Sequence, residues 1–237
     1  MIWSYQYLIN MKKYLTHSVK KSLKERKEYY LYDIPVYIIN SFPVHIDINN
    51  IIDELKETIP HELFAGLEGI YIGDFPELKN RHIQAMMKDG AIYLSSFQEF
   101  PAITEDVIVK DIVHELAHLL EDRSHYEIYG DGAIEKEYVG KKKRLIELLR
   151  ANEVSFHGMG QLFFSEDKVD ELDDFLFKEL GYDNLSTLSA GLFLSPYSVT
   201  SLREYFANGF EEYINGDSNY LKDISPVLYN KLEELLA

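Results

Sequence analysis

The chain has 237 residues, 46% of them hydrophobic, and it carries a formal net charge of −16 without a single cysteine. This length and apolar content suit one large domain or a small pair and exclude a disordered chain, and the lack of cysteine excludes disulfides and thiolate metal sites. The acidic balance disfavours nucleic acid as a partner and favours basic peptides or proteins. No apolar run approaches the ~20 residues of a membrane span, and residues 1–18 lack a secretory-signal pattern. We therefore expect no transmembrane segment and, by default, a cytoplasmic location, with export by another route left open.

The charge is unevenly distributed. Residues 1–28 contain seven lysines and arginines against two glutamates, which leaves a charge of −21 on residues 29–237. The pattern predicts a basic N-terminal arm or helix (residues 1–28) and an acidic body (residues 29–237) that forms the remaining domain. We interpret the arm as a solvated helix face or as a segment lying on the acidic body, and we expect a monomer.

The first half of the chain predicts a mixture of helices and strands. Apolar spacing indicates helices over residues 12–27 and 46–58, a strand over residues 30–40 that breaks near Pro35, and a strand over residues 69–75.

An Asp-Gly pair predicts a hairpin further along. Asp89-Gly90 separates two apolar runs, residues 83–87 and 91–95, and such a pair favours a tight turn between antiparallel strands. An open sheet edge formed by the second run can bind an extended peptide by strand addition, and the alternative is an ordinary strand of a meander. The residues of this predicted edge strand are Ala91, Ile92, Tyr93, Leu94 and Ser95.

The second half predicts mainly helices. After a loop over residues 123–132, a charged helix is expected over residues 134–153, with Lys141–Arg144 on its solvated face. Ser165 is a candidate N-cap for a helix over residues 166–180. Further helices are predicted over residues 202–214 and 227–236. The predicted fold class is therefore α+β, a small mixed β-sheet followed by a mainly helical half.

Residues 111–120, DIVHELAHLL, contain the pattern His-Glu-x-x-His. On a helix, His114 and His118 lie one turn apart on the same face, so both imidazoles can bind one cation. With Glu115 beside them, the pattern is typical of zinc peptidases, in which a glutamate takes a proton from a water held by the metal. Thr104 as an N-cap and an apolar stripe along the helix support this interpretation. The alternative is a core helix with two hydrogen-bonded histidines and a surface glutamate.

A catalytic zinc site has three protein ligands, and the two histidines supply only two of them. Glu204 is a candidate, because it lies on the polar side of the predicted helix over residues 202–214. Asn208, one turn further on, can then hydrogen-bond a ligand histidine. Tyr197, shortly before this helix, can stabilise the oxyanion that forms when a peptide carbonyl is attacked.

Other residues compete for these roles. Glu204 can instead complete a capping box with Ser201, which requires no metal. Glu153 and His157 are alternative third ligands, and a histidine there would change the class of zinc site. Three other glutamates, Glu135, Glu137 and Glu147, are expected to face solvent.

The two motifs resemble those of zinc peptidases related to the catalytic domain of anthrax lethal factor, a group that includes the bacterial Pro-Pro endopeptidases. The likeness rests on HELAHLLED and on a tyrosine seven residues before Glu204, where the chain continues Glu-Tyr-Phe-Ala. The resemblance implies a zincin-like fold with one Zn²⁺ held by His114, His118 and Glu204. It further implies that Glu115 is the general base and then the proton donor, that Tyr197 assists at the oxyanion, and that an edge strand holds the substrate.

The chain departs from this family in two ways. The separation between His118 and Tyr197 is longer than is typical, which predicts an inserted helical subdomain at about residues 124–190. Asn208 stands where the family tends to have a glutamate, which makes the ligand histidine less basic.

We therefore predict a zinc-dependent metalloendopeptidase that hydrolyses peptide bonds in peptides or proteins. One alternative is a zincin-like protein-binding module with weak activity, of the toxin or effector kind. Another is a zinc hydrolase that acts on a non-peptide amide. The intact Glu115 argues against the binding module, because an inactive module has no need of a base.

Overall fold

The computed structural model describes residues 27–40, 45–81, 83–96, 104–156 and 158–237. These residues form an α+β protein with a five-stranded mixed sheet and a mostly helical half, as the sequence predicted. The chain divides into two compact units, Met1–Val109 and Lys110–Ala237. The predicted N-terminal arm lies outside the described residues apart from Lys27 and Glu28, which begin the first strand.

A five-stranded sheet forms the centre of the first unit. Its strands are β1 Lys27–Leu31, β2 Ile34–Ile38, β3 Gly69–Gly73, β4 Ala85–Lys88 and β5 Ala91–Ser95. The strand order is β1-β2-β3-β5-β4, with the two outer strands antiparallel to their neighbours and the three inner strands parallel. Because side chains alternate between the two faces of a sheet, the aliphatic residues of the inner strands share one buried face. They are Val36, Ile38, Ile70, Ile72, Ile92 and Leu94.

The single strand predicted over residues 30–40 is in fact two strands. Tyr32 has a φ of 57° and makes the turn between β1 and β2, whereas Pro35 lies inside β2. Pro35 is paired with Tyr30 of β1, and pairing with β3 begins only at Val36. Because proline has no N–H to donate, it is tolerated at a position where the inner ladder has not yet begun.

The predicted hairpin between β4 and β5 is confirmed. Asp89 and Gly90 have φ values of 50° and 76°, the two positive values that a tight hairpin turn requires. The expectation of an open edge at Ala91–Ser95 is wrong, because β5 is paired with β3 on one side and with β4 on the other. Matched aliphatic pairs, Ile70 opposite Ile92 and Ile72 opposite Leu94, place this strand inside the sheet. Its paired backbone leaves no side for strand addition, and among the described strands the outer two are β1 and β4.

Among the described residues, the α-helices between the strands are α1 Ile48–Thr58 and α2 Pro76–Arg81. The side chain of Asp47 caps α1 by accepting a hydrogen bond from the Asn49 backbone N–H at 2.9 Å. One face of α1 is buried, as the apolar spacing predicted for residues 46–58.

From Thr104 onward, the regular secondary structure of the described residues is helical. Its helices are α3 Glu105–Tyr129, α4 Ala133–Ala151, α5 Asp170–Asp174, α6 Tyr182–Ser189, α7 Leu202–Asn215, α8 Ser218–Ile224 and α9 Pro226–Leu235. A π-helical segment, Phe175–Leu180, continues α5, and a 3-10 turn, Tyr197–Val199, precedes α7. The helices predicted over residues 134–153, 202–214 and 227–236 are thereby confirmed. None of the helices in the described ranges has the length and apolar character needed to cross a membrane.

The loop predicted over residues 123–132 is wrong for most of its length. α3 continues to Tyr129 and only bends at Ser124, where φ is −119° and ψ is 25°. The buried side chains of Ile128 and Tyr129 explain the continuation, because the last turn of the helix contributes to the core.

The helix predicted to start after Ser165 begins several residues later, at Asp170. The carbonyl of Ser165 accepts a hydrogen bond from the Lys142 ammonium at 2.9 Å, and the carbonyl of Glu166 accepts one from the Leu202 backbone N–H at 2.8 Å. These carbonyls bond to other parts of the chain instead of to the next helical turn.

The prediction that Lys141–Arg144 form a solvated face is wrong for two of the four residues. Lys143 and Arg144 are exposed, but Lys141 and Lys142 are only 7% and 0% exposed. Burial lowers the pKa of both buried lysines to about 8. Their ammonium groups therefore need hydrogen-bond partners inside the protein.

Backbone carbonyls supply these partners. Lys141 donates to the carbonyl of Leu192 at 2.7 Å and to that of Ile224, while Lys142 donates to the carbonyl of Ser165. Periodicity could not predict this arrangement, since the partners are 23 to 83 residues away in sequence. The two lysines tie α4 to three separate segments of the second unit.

Candidate metal centre

Helix α3 presents the two histidines of the motif. The Thr104 hydroxyl accepts a hydrogen bond from the Val107 backbone N–H at 3.3 Å, so the helix begins at its predicted N-cap. The rings of His114 and His118 have centroids 5.0 Å apart and planes at 85°. Their side chains are 17% and 10% exposed. One rigid element therefore presents two partly buried imidazoles side by side.

Helix α7 brings Glu204 to both histidines. Oε2 of Glu204 lies 3.1 Å from Nε2 of His114, and Oε1 lies 3.8 Å from Nε2 of His118. The Ser201 hydroxyl accepts a hydrogen bond from the Glu204 backbone N–H at 3.2 Å, as the capping interpretation predicted. The cap uses the backbone of Glu204, whereas the carboxylate reaches the imidazoles. Capping and metal binding by this residue are therefore compatible.

The three side chains have the spacing of a metal site. One ligand atom each from His114, His118 and Glu204 can be chosen so that all lie within 4.8 Å of one another. Two imidazole nitrogens and one carboxylate oxygen are a donor set that suits zinc, and a fourth position remains for water. Elsewhere in the described ranges, no group of three histidines or carboxylates has this spacing.

Of the two competing ligands, Glu153 lies in the described ranges and is not part of this group. Glu153 is exposed and lies just past the end of α4, with a left-handed φ of 57°. His157 lies outside the described residues. The assembled third member is therefore Glu204.

The side chain of Asn208 makes its hydrogen bonds to groups other than the two histidines. Its amide donates to the carbonyl of Glu204 at 2.8 Å, and its Oδ1 accepts from the Ser195 hydroxyl at 2.8 Å. The prediction that Asn208 supports a ligand histidine is wrong, because its side chain points to the segment that precedes α7.

Two glutamates lie at the outer nitrogens of the imidazoles instead. Oε2 of Glu211 is 3.5 Å from Nδ1 of His114, and Oε2 of Glu121 is 3.6 Å from Nδ1 of His118. A carboxylate at Nδ1 favours the tautomer whose Nε2 lone pair is available for a cation. Neither glutamate was predicted as a partner of the imidazoles, although helical spacing could have indicated both. Glu121 lies three residues after His118, and Glu211 lies two turns after Glu204.

Arg203 competes with Glu121 for His118. Its Nε donates to Nδ1 of His118 at 3.2 Å and lies 3.4 Å from Oε2 of Glu121, while its Nη1 donates to Asp122 at 2.9 Å. Glu121 is also held by the Tyr129 hydroxyl at 2.6 Å. Because Nδ1 of His118 accepts the hydrogen bond from Arg203, it carries no proton, and the proton of the neutral ring is on Nε2. Binding a cation at Nε2 therefore requires His118 to change tautomer and direct Nδ1–H toward Glu121.

The electrostatics of the group favour a positive charge. Burial works against a charged His114, but hydrogen bonds with Glu204 and Glu211 outweigh it and raise the pKa of this imidazole well above its usual value. Burial also works against a charged Glu204, but the hydrogen bond with His114 and the neighbouring positive charges hold the pKa of Glu204 below its usual value. Asp111 lies one turn before His114, and burial together with the charge of Glu211 raises its pKa to about 7. The proton on His114 thus supplies the positive charge that a metal cation can supply instead.

The two predicted catalytic residues, Glu115 and Tyr197, differ in their distance from the ligands along the chain and in burial. Glu115 follows His114 on α3 and is 7% exposed, unlike the surface glutamate of the core-helix alternative. Tyr197 begins the 3-10 turn before α7 and is half-buried. The Thr200 hydroxyl donates to the Tyr197 carbonyl at 2.8 Å, which fixes the backbone of this turn.

Helix α4, in the stretch predicted as an insertion, supports the ligand helix. The Tyr138 hydroxyl donates to the carbonyl of Val199 at 2.8 Å, and Glu137 accepts from the Tyr205 hydroxyl at 2.9 Å. Glu137 also accepts from two backbone N–H groups at the start of α9. The expectation that Glu137 faces solvent is wrong, because its carboxylate joins three helices. Residues 124–190 therefore contribute to the packing that positions Glu204.

A scan of the chain against protein-family models found no match, and searches of curated proteins and of solved structures found none either. The function is therefore inferred from the residues and geometry of the centre itself.

Proposed function

We propose that the chain is a zinc-dependent metallopeptidase of the zincin type, with His114, His118 and Glu204 as its metal ligands. The observation that carries this proposal is the approach of Glu204 to both imidazoles, which completes a donor set suited to zinc. The resemblance of the two motifs to peptidases related to lethal factor supports it. The burial of Glu115 next to the first ligand supports a catalytic role over a solvated one.

The roles of the residues follow from their chemistry. Zinc bound by these ligands would polarise a peptide carbonyl and lower the pKa of a water molecule. Glu115 takes a proton from the attacking water and delivers it to the leaving amine. Tyr197 donates a hydrogen bond to the oxygen on which negative charge develops. Glu121 and Glu211 orient the imidazoles through Nδ1.

The first test is zinc stoichiometry in the purified protein. We expect about one zinc per chain in the wild type and none in Glu204→Ala, because two imidazoles alone hold zinc weakly. Glu153→Ala is the matched control, since this glutamate was the competing candidate and lies exposed past the end of α4. A wild-type protein that takes up no zinc after reconstitution would overturn the proposal. Loss of zinc from Glu153→Ala alone would assign a different third ligand.

A second test separates the peptidase from the protein-binding module. A mixed peptide pool is incubated with the zinc-loaded wild type and with Glu115→Gln, and the products are identified by mass spectrometry. We expect cleavage by the wild type and a loss of at least about 100-fold in Glu115→Gln, the usual scale for removing a general base. If both proteins bind peptides and neither cleaves them, the binding module is the better description. The charge of −16 makes peptides with basic residues the first substrates to try.

A further inference from the structure

Lys168 is a cation close to the candidate metal centre that the sequence analysis did not identify. Its Nζ lies 5.6 Å from the centre of the Tyr197 ring and 3.1 Å from Oδ2 of Asp173. The Lys168 side chain is 40% exposed, so solvent and ligands can reach it. The residue lies in the segment before α5, within the stretch predicted as an insertion.

The segment that carries Lys168 is joined to the start of the helix that carries the third ligand. The carbonyl of Glu166, two residues before Lys168, accepts a hydrogen bond from the backbone N–H of Leu202 at 2.8 Å. Leu202 begins α7, two residues before Glu204. Lys168 therefore lies near the end of α7 at which the third ligand is found.

The ion pair of Lys168 leaves hydrogen-bonding capacity unused. An ammonium group has three N–H donors, and among the described residues Asp173 is the one carboxylate within ion-pair distance of it. Oδ1 of Asp173 is buried without a hydrogen-bond partner, so this pair is not a closed network. Arg203, the other cation near the ligands, already contacts Glu121 and Asp122. Of these two cations among the described residues, Lys168 is thus the one that can donate hydrogen bonds to a further anionic partner.

We propose that Lys168 forms a subsite for a substrate carboxylate, either the side chain of an aspartate or glutamate residue or the terminal carboxylate of a peptide. This inference rests on the proposed function, since the subsite has a substrate only if the centre binds zinc and peptide. It is compatible with an acidic protein, because long-range repulsion is screened within about 8 Å at physiological salt. A direct ion pair with Lys168 acts at shorter range.

The test uses two hydroxamates that are identical except that one ends in a carboxylate and the other in a primary amide. Their affinities for the zinc-loaded protein are measured by calorimetry. We expect the carboxylate to bind about tenfold more tightly, the scale of one charge-assisted hydrogen bond. Lys168→Met should abolish the difference in affinity between the two hydroxamates, and Lys168→Arg should retain it. Asp173→Asn should increase the difference, because it removes the carboxylate that competes for Lys168.

Lys178→Met is the matched control. Lys178 forms a similar pair at 2.7 Å with Asp174, the residue after Asp173, but it is 62% exposed. The ion pairs of the three ligands within the described ranges do not include Lys178. Equal affinity of the two hydroxamates for a protein that holds zinc would overturn the subsite and leave the peptidase proposal intact. Failure to hold zinc would overturn both.

Two peptide series then distinguish the sources of the carboxylate. In one series, a glutamate is moved through a peptide with an amidated C-terminus. In the other, a neutral peptide carries either a free or an amidated C-terminus. If the protein prefers peptides with a glutamate at one position and Lys168→Met removes this preference, the substrate group is a side-chain carboxylate. If it prefers the free C-terminus and Lys168→Met removes that preference, the group is a terminal carboxylate. Indifference in both series contradicts the subsite.

Discussion

Nε2 of His114 lies 3.1 Å from Oε2 of Glu204, although the two residues are 90 positions apart in the chain. Glu211 approaches the opposite nitrogen of the same ring at 3.5 Å. Two carboxylates thus flank one buried imidazole. The arrangement is stable only when a positive charge, either a proton or a metal cation, is present between them.

Zinc binding should therefore release a proton. The pKa of His114 is raised, so this imidazole is protonated at pH 7 in the metal-free protein, and Nε2 must lose its proton before it can bind zinc. We expect release of about one proton per zinc at pH 7. Calorimetric titrations in two buffers with different ionisation enthalpies measure this number. A heat of binding that is the same in both buffers would contradict the prediction.

Glu211 should matter more to the metal than Asn208. Glu211→Gln removes the carboxylate at Nδ1 of His114, and we expect zinc affinity to fall about 10- to 100-fold, as is usual when such a partner is lost. Asn208→Ala is the matched control on the same helix, because the hydrogen bonds of Asn208 go to Ser195 and to the backbone. Competition with a chromophoric chelator measures both affinities. A larger loss in Asn208→Ala would restore the original assignment of this asparagine.

Protein stability should rise as the pH increases from about 8 toward 10. Burial lowers the pKa of Lys141 and Lys142 to about 8, against 10.5 for an ordinary lysine. In this window both lysines bind more protons in the unfolded chain than in the folded protein, whereas His114, with its raised pKa, binds more in the folded protein. The two lysines outweigh the one histidine, so the free energy of unfolding increases with pH. Urea denaturation at pH 8, 9 and 9.5 measures the trend. Lys142→Met should reduce its slope, whereas Lys143→Met, at an exposed position, should leave it unchanged.

Gly209 should resist substitution. A Cβ atom at this position would lie 2.2 Å from Cδ2 of Leu228, which is fully buried where α9 packs on α7. We expect Gly209→Ala to destabilise the protein by about 1–3 kcal/mol, the usual effect of overpacking. Gly140→Ala is the matched control, because it lies in α4 with nothing within 4 Å of the new methyl group. That variant should be neutral or more stable by up to about 1 kcal/mol, since alanine favours a helix. Thermal unfolding compares the two, and equal midpoints would show that α9 can move away from α7.

Local patterns predicted most of the secondary structure. Asp89-Gly90 predicted a hairpin because only a few residue types tolerate two successive positive φ values. Ser201 and Thr104 predicted helix starts because their hydroxyls accept hydrogen bonds from backbone N–H groups within the next turn. The prediction failed at Ser165, whose carbonyl is bound by a lysine from another helix.

The sequence by itself determined the pairing of His114 with His118, because residues four apart on a helix share a face whatever surrounds them. It also indicated Glu204, through local chemistry and a resemblance to known peptidases. Only the tertiary structure decided which groups meet these residues. Glu211 and Glu121, not Asn208, lie at the imidazoles, β5 is an inner strand, and Lys141 and Lys142 are buried. Such relationships depend on contacts between distant segments, and periodicity along one helix or strand carries no information about the segment that will pack against it.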